Sequence, residues 1–280
     1  MDGRNRGRLV DTRAVDESLH ARLEASGYGA PGFAERYDRH RPSPPSVLLG
    51  LLPALAGVDR PRLVVDLGCG TGLSTRVWAD RADHVVGVEP NAAMVTFARA
   101  VAGAESVEYL QASGYETGLA DHCADIVTAS QALHWMEPER VLPEIGRILR
   151  PGGVLCAYEY FTLTTPLWEP EAAFAELRSR TRALREQRGL ASAALWPVSR
   201  TRLEDSRVFR ATRELVVHGV EMGDGERLLG FALSEGSLQT LLDAGATEDE
   251  VGLTHLRDAA DAMPDELPWW LGYRVWLGLK

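Results

Sequence analysis

The chain has 280 residues, 45% of them hydrophobic, and its formal net charge is −10 at pH 7. This length suffices for one large domain, or for a domain with a cap, built around a full hydrophobic core. The acidic balance argues against a nucleic-acid partner, and no apolar run reaches the length of a membrane span.

The three cysteines and seven histidines are scattered along the chain. Their spacing predicts neither a disulfide framework nor a metal site. The N-terminus is basic but lacks the apolar core of a signal peptide. We therefore expect a cytoplasmic protein with no bound metal and with neither a nucleic acid nor a membrane as its partner.

The first part of the chain is predicted to be a helix followed by irregular structure. Val15, Leu19 and Leu23 recur at helical spacing within residues 9–27. Residues 28–45 are rich in glycine and proline, which favours an irregular segment. We assign residues 1–45 to an N-terminal segment over the functional site. The oligomeric state is left open, since this helix could be exchanged between protomers of a homodimer or a larger homo-oligomer.

From residue 63 onward, short apolar runs alternate with helical stripes, which is typical of a doubly wound, mostly parallel α/β sheet. The predicted strands are residues 63–67, 85–88, 107–110, 125–129 and 154–158. The predicted helices are residues 73–80 and 92–101, and a third one that ends before Pro151-Gly152-Gly153. Residues 46–161 are assigned to this Rossmann-like core.

After residue 161 the pattern predicts a helical cap and the last strands of a seven-stranded sheet. The predicted helices are residues 168–188, 228–242 and 248–260, and the strands are residues 215–220 and 272–279. The cap would then comprise residues 162–207 and 225–262 within a C-terminal part, residues 162–280. One face of the first cap helix carries Arg178, Arg182 and Arg185. We interpret it as a solvated face, with a site for an anionic substrate as the alternative.

The most informative stretch is residues 64–72, in which a buried strand enters a glycine turn spaced G-x-G-x-G. Glycine permits a positive φ and a close approach of the backbone to a ligand. Glu89 ends the second strand, where a carboxylate accepts hydrogen bonds from ribose hydroxyls. The spacing differs from the G-x-G-x-x-G of dinucleotide folds, and Asp66 would repel a pyrophosphate but attract an ammonium or sulfonium group. The sequence therefore favours S-adenosylmethionine over NAD as the cofactor.

Several segments together resemble the class I S-adenosylmethionine-dependent methyltransferases over about residues 33–160. Two of them, residues 63–72 and 87–90, resemble the first motif of that family and the motif that follows it. The fourth strand, the turn before the fifth and the lead-in of the small-molecule branch are similar at residues 124–129, 149–153 and 35–42. Residues 131–135, Gln-Ala-Leu-His-Trp, resemble the trans-aconitate methyltransferase-like subgroup. The resemblance implies the Rossmann-like methyltransferase fold, a last strand antiparallel to the sixth, and a small-molecule substrate.

Ligands of open α/β sheets bind beyond the carboxyl ends of the strands. The residues predicted to bind the cofactor lie there or begin the next helix: Asp66, Gly68, Cys69, Gly70, Glu89, Pro90, Met94, Ala112, Ser113, Ser130 and Gln131. The resemblance adds Tyr37 and Arg41 from the N-terminal segment, with Arg41 directed to the methionine carboxylate. The acidic residue that many family members carry near Ala112 and Ser113 is absent.

Methyl transfer from a sulfonium is an in-line displacement, which needs alignment above all and for some acceptors a base. His134 follows the fourth strand and is the candidate base, because histidine exchanges a proton near neutral pH. Its alternative role is to orient Trp135 or to cap the next helix. Glu159, at the end of the fifth strand, is the second catalytic candidate.

The leading hypothesis is therefore an S-adenosylmethionine-dependent methyltransferase. Its acceptor would be an oxygen, nitrogen or carbon atom of a small molecule, for example in secondary metabolism. The alternative is a protein of the same fold that binds the cofactor and catalyses a non-methylating reaction, or only binds a ligand. The glycine spacing and Asp66 disfavour an NAD(P)-dependent oxidoreductase.

Overall fold

The computed structural model describes residues 26–190 and 197–280. It contains β1 (Leu63–Leu67), β2 (His84–Glu89), β3 (Val107–Gln111), β4 (Ala124–Ser130), β5 (Leu149–Thr164), β6 (Ala211–Gly223) and β7 (Leu267–Leu279). These strands form one sheet in the order β3-β2-β1-β4-β5-β7-β6. Strands β1 to β5 are parallel, and β7 runs antiparallel between β5 and β6. The predicted α/β class, the seven-stranded sheet and the antiparallel last strand are confirmed.

The helices surround this sheet and its carboxyl edge. They are α1 (Phe33–His40), α2 (Val47–Ala56), α3 (Leu73–Arg76), α4 (Ala92–Ala100), α5 (Pro138–Ile148), α6 (Trp168–Gln187), α7 (Arg200–Asp205), α8 (Gly225–Leu233), α9 (Gly236–Asp243), α10 (Glu248–Val251) and α11 (Leu253–Asp261). A 3-10 turn, Leu133–Trp135, follows β4. The helix predicted within residues 9–27 lies almost wholly outside the described residues.

Both faces of β1, β2 and β4 are buried, which explains their apolar sequences. Val64 and Val65 are adjacent in β1 and fully buried, but their side chains lie on opposite faces of the sheet. Val64 belongs to a cluster with residues of α2 and α4, and Val65 to a cluster with residues of α5. The strand order reverses between β1 and β4, and this reversal opens a crevice at the carboxyl edge.

The cap has a hydrophobic cluster of its own. Phe174 and Leu177 of α6 pack there with Phe231 of α8 and Leu256 of α11. Helix α7 was predicted to lie in the cap, but its Leu203 packs in the cluster between the sheet and α5. The cap helices α6 and α8 to α11 therefore form a second layer at one end of the sheet.

Several predicted boundaries were wrong. Residues 33–40 were expected to be irregular and form α1, and α2 was not predicted. The helix predicted over residues 228–242 is two helices, because Glu235 is extended with ψ 114°. The helix predicted over residues 248–260 is interrupted at Gly252, whose φ is 79°. Helix α3 ends at Arg76 instead of residue 80, and β5, β6 and β7 are longer than predicted because their antiparallel ladders continue.

Within the described ranges, no helix is both long enough and apolar enough to cross a membrane. In the same part of the chain, His, Cys, Asp and Glu side chains form no group of three or more that could hold a metal ion.

Candidate active site

The turn after β1 depends on its glycines. Gly68, Gly70 and Gly72 have φ values of 67°, 55° and 82°, which lie in the left-handed region that favours glycine. The backbone N–H of Gly68 donates to the Val88 carbonyl oxygen at 2.8 Å, which ties the turn to β2. A Cβ atom at Gly72 would overlap the Tyr109 ring. The turn therefore presents its backbone at the carboxyl edge of the sheet.

Asp66 supports this turn from beneath. Its carboxylate accepts hydrogen bonds from the Ser74 and Thr75 hydroxyls at 2.6 and 2.8 Å. A third comes from the Thr128 hydroxyl at 2.7 Å, and the Asp66 side chain is fully buried. Burial raises the pKa of Asp66, while the hydroxyl bonds oppose that rise. Asp66 was predicted to bind the cofactor; in the structure both of its carboxylate oxygens accept from these hydroxyls inside the protein.

Glu89 is the carboxylate that reaches the crevice. Its Oε2 accepts from the Gly70 backbone N–H at 3.1 Å, and its Oε1 accepts from the Asn91 N–H at 2.8 Å. Burial raises the pKa of Glu89 to about 7 despite these two bonds. Asn91 caps α4 through its side-chain oxygen, which accepts from the Met94 N–H at 3.2 Å. The hydrogen bonds of Asn91 therefore fix the loop that joins Glu89 to α4.

We call the crevice beneath the N-terminal segment the inner cavity. It brings together ten of the residues that were predicted to bind the cofactor: Tyr37, Arg41, Gly68, Cys69, Gly70, Glu89, Pro90, Met94, Ser130 and Gln131. Ala112 and Ser113, which were also predicted to bind the cofactor, do not line it. Ala112 packs against the hydrophobic core, and Ser113 forms a bridge with Glu116. The wall at this point is formed by Gly114 and Tyr115 instead.

Arg41 joins the N-terminal segment to the cap. Its Nε donates to the Ser234 hydroxyl at 2.7 Å, one terminal nitrogen donates to the Ser234 carbonyl oxygen at 2.6 Å, and the other donates to the Tyr160 hydroxyl. The guanidinium carbon also lies 4.6 Å from the Phe231 ring centroid and 4.9 Å from that of Tyr37. Arg41 therefore lines the inner cavity with its donors already held by the protein.

A second space, the outer cavity, lies between the sheet edge and the cap and has a volume of about 750 Å³. His134 and Glu159 both line it, and His134 Nδ1 lies 2.6 Å from Glu159 Oε1. The two predicted catalytic residues are therefore in contact. They come from different strands, because the 3-10 turn after β4 brings His134 beside Glu159 within β5.

Six residues, which we call the junction, line both cavities: Ser26, Tyr28, Arg41, Gln131, Trp135 and Tyr160. Gln131 has a φ of 52°, which is uncommon for a residue other than glycine and which the surrounding structure must enforce. Its Nε2 is buried without a hydrogen-bond partner. A ligand that spans the two cavities would pass this amide.

Sequence reasoning missed several of the wall residues. Tyr28 packs its ring against Trp135, with centroids 5.6 Å apart, but it lies in a segment with no helical or strand pattern. Gly114 lies within residues 111–114, the segment that the rule on strand ends marks after β3, and Tyr115 lies one residue beyond that segment. Trp135 lies within the motif that was singled out, but was interpreted only as a neighbour of His134.

Residues 65–157 match the model of a family described as a methyltransferase domain. An uncharacterised methyltransferase of Mycobacterium tuberculosis is 43% identical over 120 residues, which cover 42% of this chain and 46% of that protein. A trans-aconitate 2-methyltransferase of Variovorax paradoxus is 33% identical over 128 residues, which cover 45% of this chain and 47% of that protein. The chain thus spans about half the length of the curated relatives it matches.

A solved structure from Anaeromyxobacter dehalogenans, provisionally described as a type II methyltransferase, superposes with a TM-score of 0.62. Its sequence is 24% identical, and the match covers 85% of this chain and 97% of that one. At this level of identity the likeness concerns the fold alone, and it agrees with the doubly wound sheet described above.

Proposed function

We propose that this chain is a class I S-adenosylmethionine-dependent methyltransferase that transfers a methyl group to a small-molecule acceptor, a proposal supported by the match of residues 65–157 to a methyltransferase domain. The observation that carries the proposal is the pair of cavities that meet at the junction. The inner cavity has the glycine turn and Glu89, and the outer cavity has His134 and Glu159. One space suits a cofactor and the other an acceptor.

The residues of the inner cavity fit S-adenosylmethionine. Glu89 offers a carboxylate to the ribose hydroxyls, and Pro90 and Met94 offer apolar surface beside it. A Cβ atom at Gly70 would meet no heavy atom within 4 Å, so the turn leaves open space at this point. When bound, the cofactor supplies an electrophilic methyl group on a sulfonium.

His134 is proposed to take the proton of the acceptor. Glu159 fixes the ring by its contact with Nδ1, which leaves Nε2 as the nitrogen that can face the outer cavity. Such a pair serves an acceptor that carries a proton on its nucleophilic atom, such as a hydroxyl or an amine. An ionised carboxylate would need no base. We therefore propose that the methyl group is transferred to the oxygen of a hydroxyl or to the nitrogen of an amine, whose proton His134 takes.

The first experiment is calorimetric titration of the purified chain with S-adenosylmethionine and S-adenosylhomocysteine. Binding of both in the micromolar range is expected, and a screen of small acceptors for release of S-adenosylhomocysteine then tests transfer. Folded protein that binds neither compound would refute the proposal. Binding of both without release of S-adenosylhomocysteine from any acceptor would favour a protein that binds the cofactor without transferring its methyl group.

Cofactor binding is expected to weaken about tenfold between about pH 8 and about pH 6. Glu89 has a pKa of about 7, so its carboxylate is charged above this pH and becomes protonated below it. The neutral form loses the charge that strengthens hydrogen bonds from the ribose hydroxyls. Calorimetric titration with S-adenosylhomocysteine across this range measures the effect.

Glu89→Gln is the control for this dependence. It is expected to bind about tenfold more weakly than the wild type at about pH 8, and to vary little with pH. The amino group of S-adenosylhomocysteine titrates equally in the experiments with the wild type and with Glu89→Gln, so it does not cause a difference between them. A variant that keeps the wild-type pH dependence would assign the titration to a group other than Glu89.

Arg41→Leu is expected to weaken binding of S-adenosylhomocysteine about tenfold, because the N-terminal segment loses its hydrogen bonds to the cap. Arg39→Leu is the matched control. Arg39 lies on α1 and forms a salt bridge with Glu226 of α8 at 2.9 Å, but its side chain is 72% exposed. An exposed pair of this kind contributes little, so a change of less than about twofold is expected. Equal losses in the two variants would contradict the role of Arg41.

A further inference from the structure

One face of the cap helix α6 lines the outer cavity. Arg178 is three and four residues before Thr181 and Arg182, and Arg185 is four and three residues after them, which places all four on one side of the helix, and all four line the cavity. His134, in the turn after β4, and Glu159, within β5, line the same cavity. The cavity thus has two sets of polar groups on different elements.

Arg185 donates to the Thr240 hydroxyl at 2.6 Å, but the other three polar groups of this helix face have few partners among the described residues. The Thr181 side chain is 3% exposed, and its hydroxyl is buried without a hydrogen-bond partner. Arg178 approaches Glu235 only at 3.8 Å. Arg182 forms neither a hydrogen bond nor an ion pair with the residues described here, whereas Arg180, on another side of the helix, pairs with Glu176 at 2.5 Å. A buried hydroxyl without a partner is costly, so a ligand group is its natural complement.

Four carboxylates also face the outer cavity, and three of them are already engaged. Glu159 contacts His134, Glu171 accepts from the Thr165 backbone N–H at 2.5 Å, and Glu235 faces Arg178. Glu186 is exposed and lies one helical turn beyond Arg182. Guanidinium groups suit carboxylates and phosphates, so this face of α6 suits an anion. The negative charge of Glu186 offsets part of the positive charge of the arginines.

We infer that this face of α6 binds an anionic group of the acceptor, a carboxylate or a phosphate, that is separate from the atom that is methylated. The inference rests on the proposed function, in which His134 takes the proton of a hydroxyl or an amine. Apolar side chains, among them Trp135, Phe174 and Phe231, line the cavity as well. The acceptor class is therefore an apolar body with a hydroxyl or amine at one position and an anion at another.

The test measures the affinity of matched probes for the full chain saturated with S-adenosylhomocysteine, whose own binding is confirmed first by calorimetry. The probes are para-hydroxybenzoate, para-hydroxycinnamate and omega-hydroxydodecanoate, each with its uncharged primary amide, and para-hydroxybenzyl phosphate with the parent alcohol. Saturation-transfer NMR gives the dissociation constants. At least one anionic probe is expected to bind about tenfold more tightly than its neutral counterpart.

Two variants test whether α6 is the origin of this preference. In Arg178→Gln/Arg182→Gln the preference is expected to fall to less than about twofold, and in Glu186→Gln it is expected to be kept or increased. All three side chains are exposed, so thermal unfolding should be unchanged. Equal binding of anionic and neutral probes, binding of none of them, or a preference that survives in the double variant would overturn the inference. Failure to bind S-adenosylhomocysteine would instead refute the proposed function. The carboxylate and phosphate pairs show which anion is preferred.

Discussion

Replacing Asp66 with alanine is expected to lower the free energy of unfolding by about 3 kcal/mol, because three buried hydroxyls lose their common acceptor. Ser74, Thr75 and Thr128 all donate to this carboxylate. Ser74 and Thr75 belong to α3, which directly follows the glycine turn, so their release also loosens the inner cavity. Urea unfolding measures the loss, and calorimetry is expected to show that binding of S-adenosylhomocysteine weakens about tenfold or more.

Asp66→Asn separates the hydrogen bonds from the charge. The amide oxygen still accepts from a hydroxyl, and the amide nitrogen can donate to a hydroxyl oxygen, so the network can be rebuilt. The variant also removes a carboxyl group whose ionised form is disfavoured by burial. It is expected to lose less than about 1.5 kcal/mol. If Asp66→Ala unfolds at the same urea concentration and with the same slope as the wild type, Asp66 does not support the turn.

The sheet and its carboxyl edge could be predicted from the sequence because their signals are local. Val64 and Val65 are both apolar since both faces of β1 are covered, and a glycine turn directly follows the strand. Parallel strands end at one edge, so Glu89 at the end of β2 was expected beside Gly70, and the Gly70 N–H donates to it. The inner cavity thus follows from strand order and turn chemistry.

The rest depends on contacts between distant parts of the chain. Arg41 and Ser234 are separated by 193 positions, and neither segment carries a pattern that marks the other. The three hydroxyl contacts of Asp66 were not predicted, because residue type does not reveal which side of a strand meets three hydroxyls. The positive φ of Gln131 was likewise invisible, since glutamine carries no preference for it.

The largest effect on catalysis is expected for His134→Gln, which should lower kcat for the acceptor found in the release screen by about 100-fold to 1000-fold. Glutamine keeps a hydrogen-bonding group near Glu159 but does not accept a proton at neutral pH. Cofactor affinity should change by less than about twofold, because His134 lines the outer cavity and is absent from the inner one. Stopped assays of S-adenosylhomocysteine release give kcat and KM, and calorimetry gives the affinity.

Glu159→Gln tests whether Glu159 acts by orienting the imidazole of His134, which is the proposed base. If Glu159 acts by orienting the imidazole, kcat should fall less than in His134→Gln, and KM for the acceptor should change little. A His134→Gln enzyme with the kcat of the wild type would mean that the acceptor reaches the junction already deprotonated. The outer cavity would then contribute alignment alone.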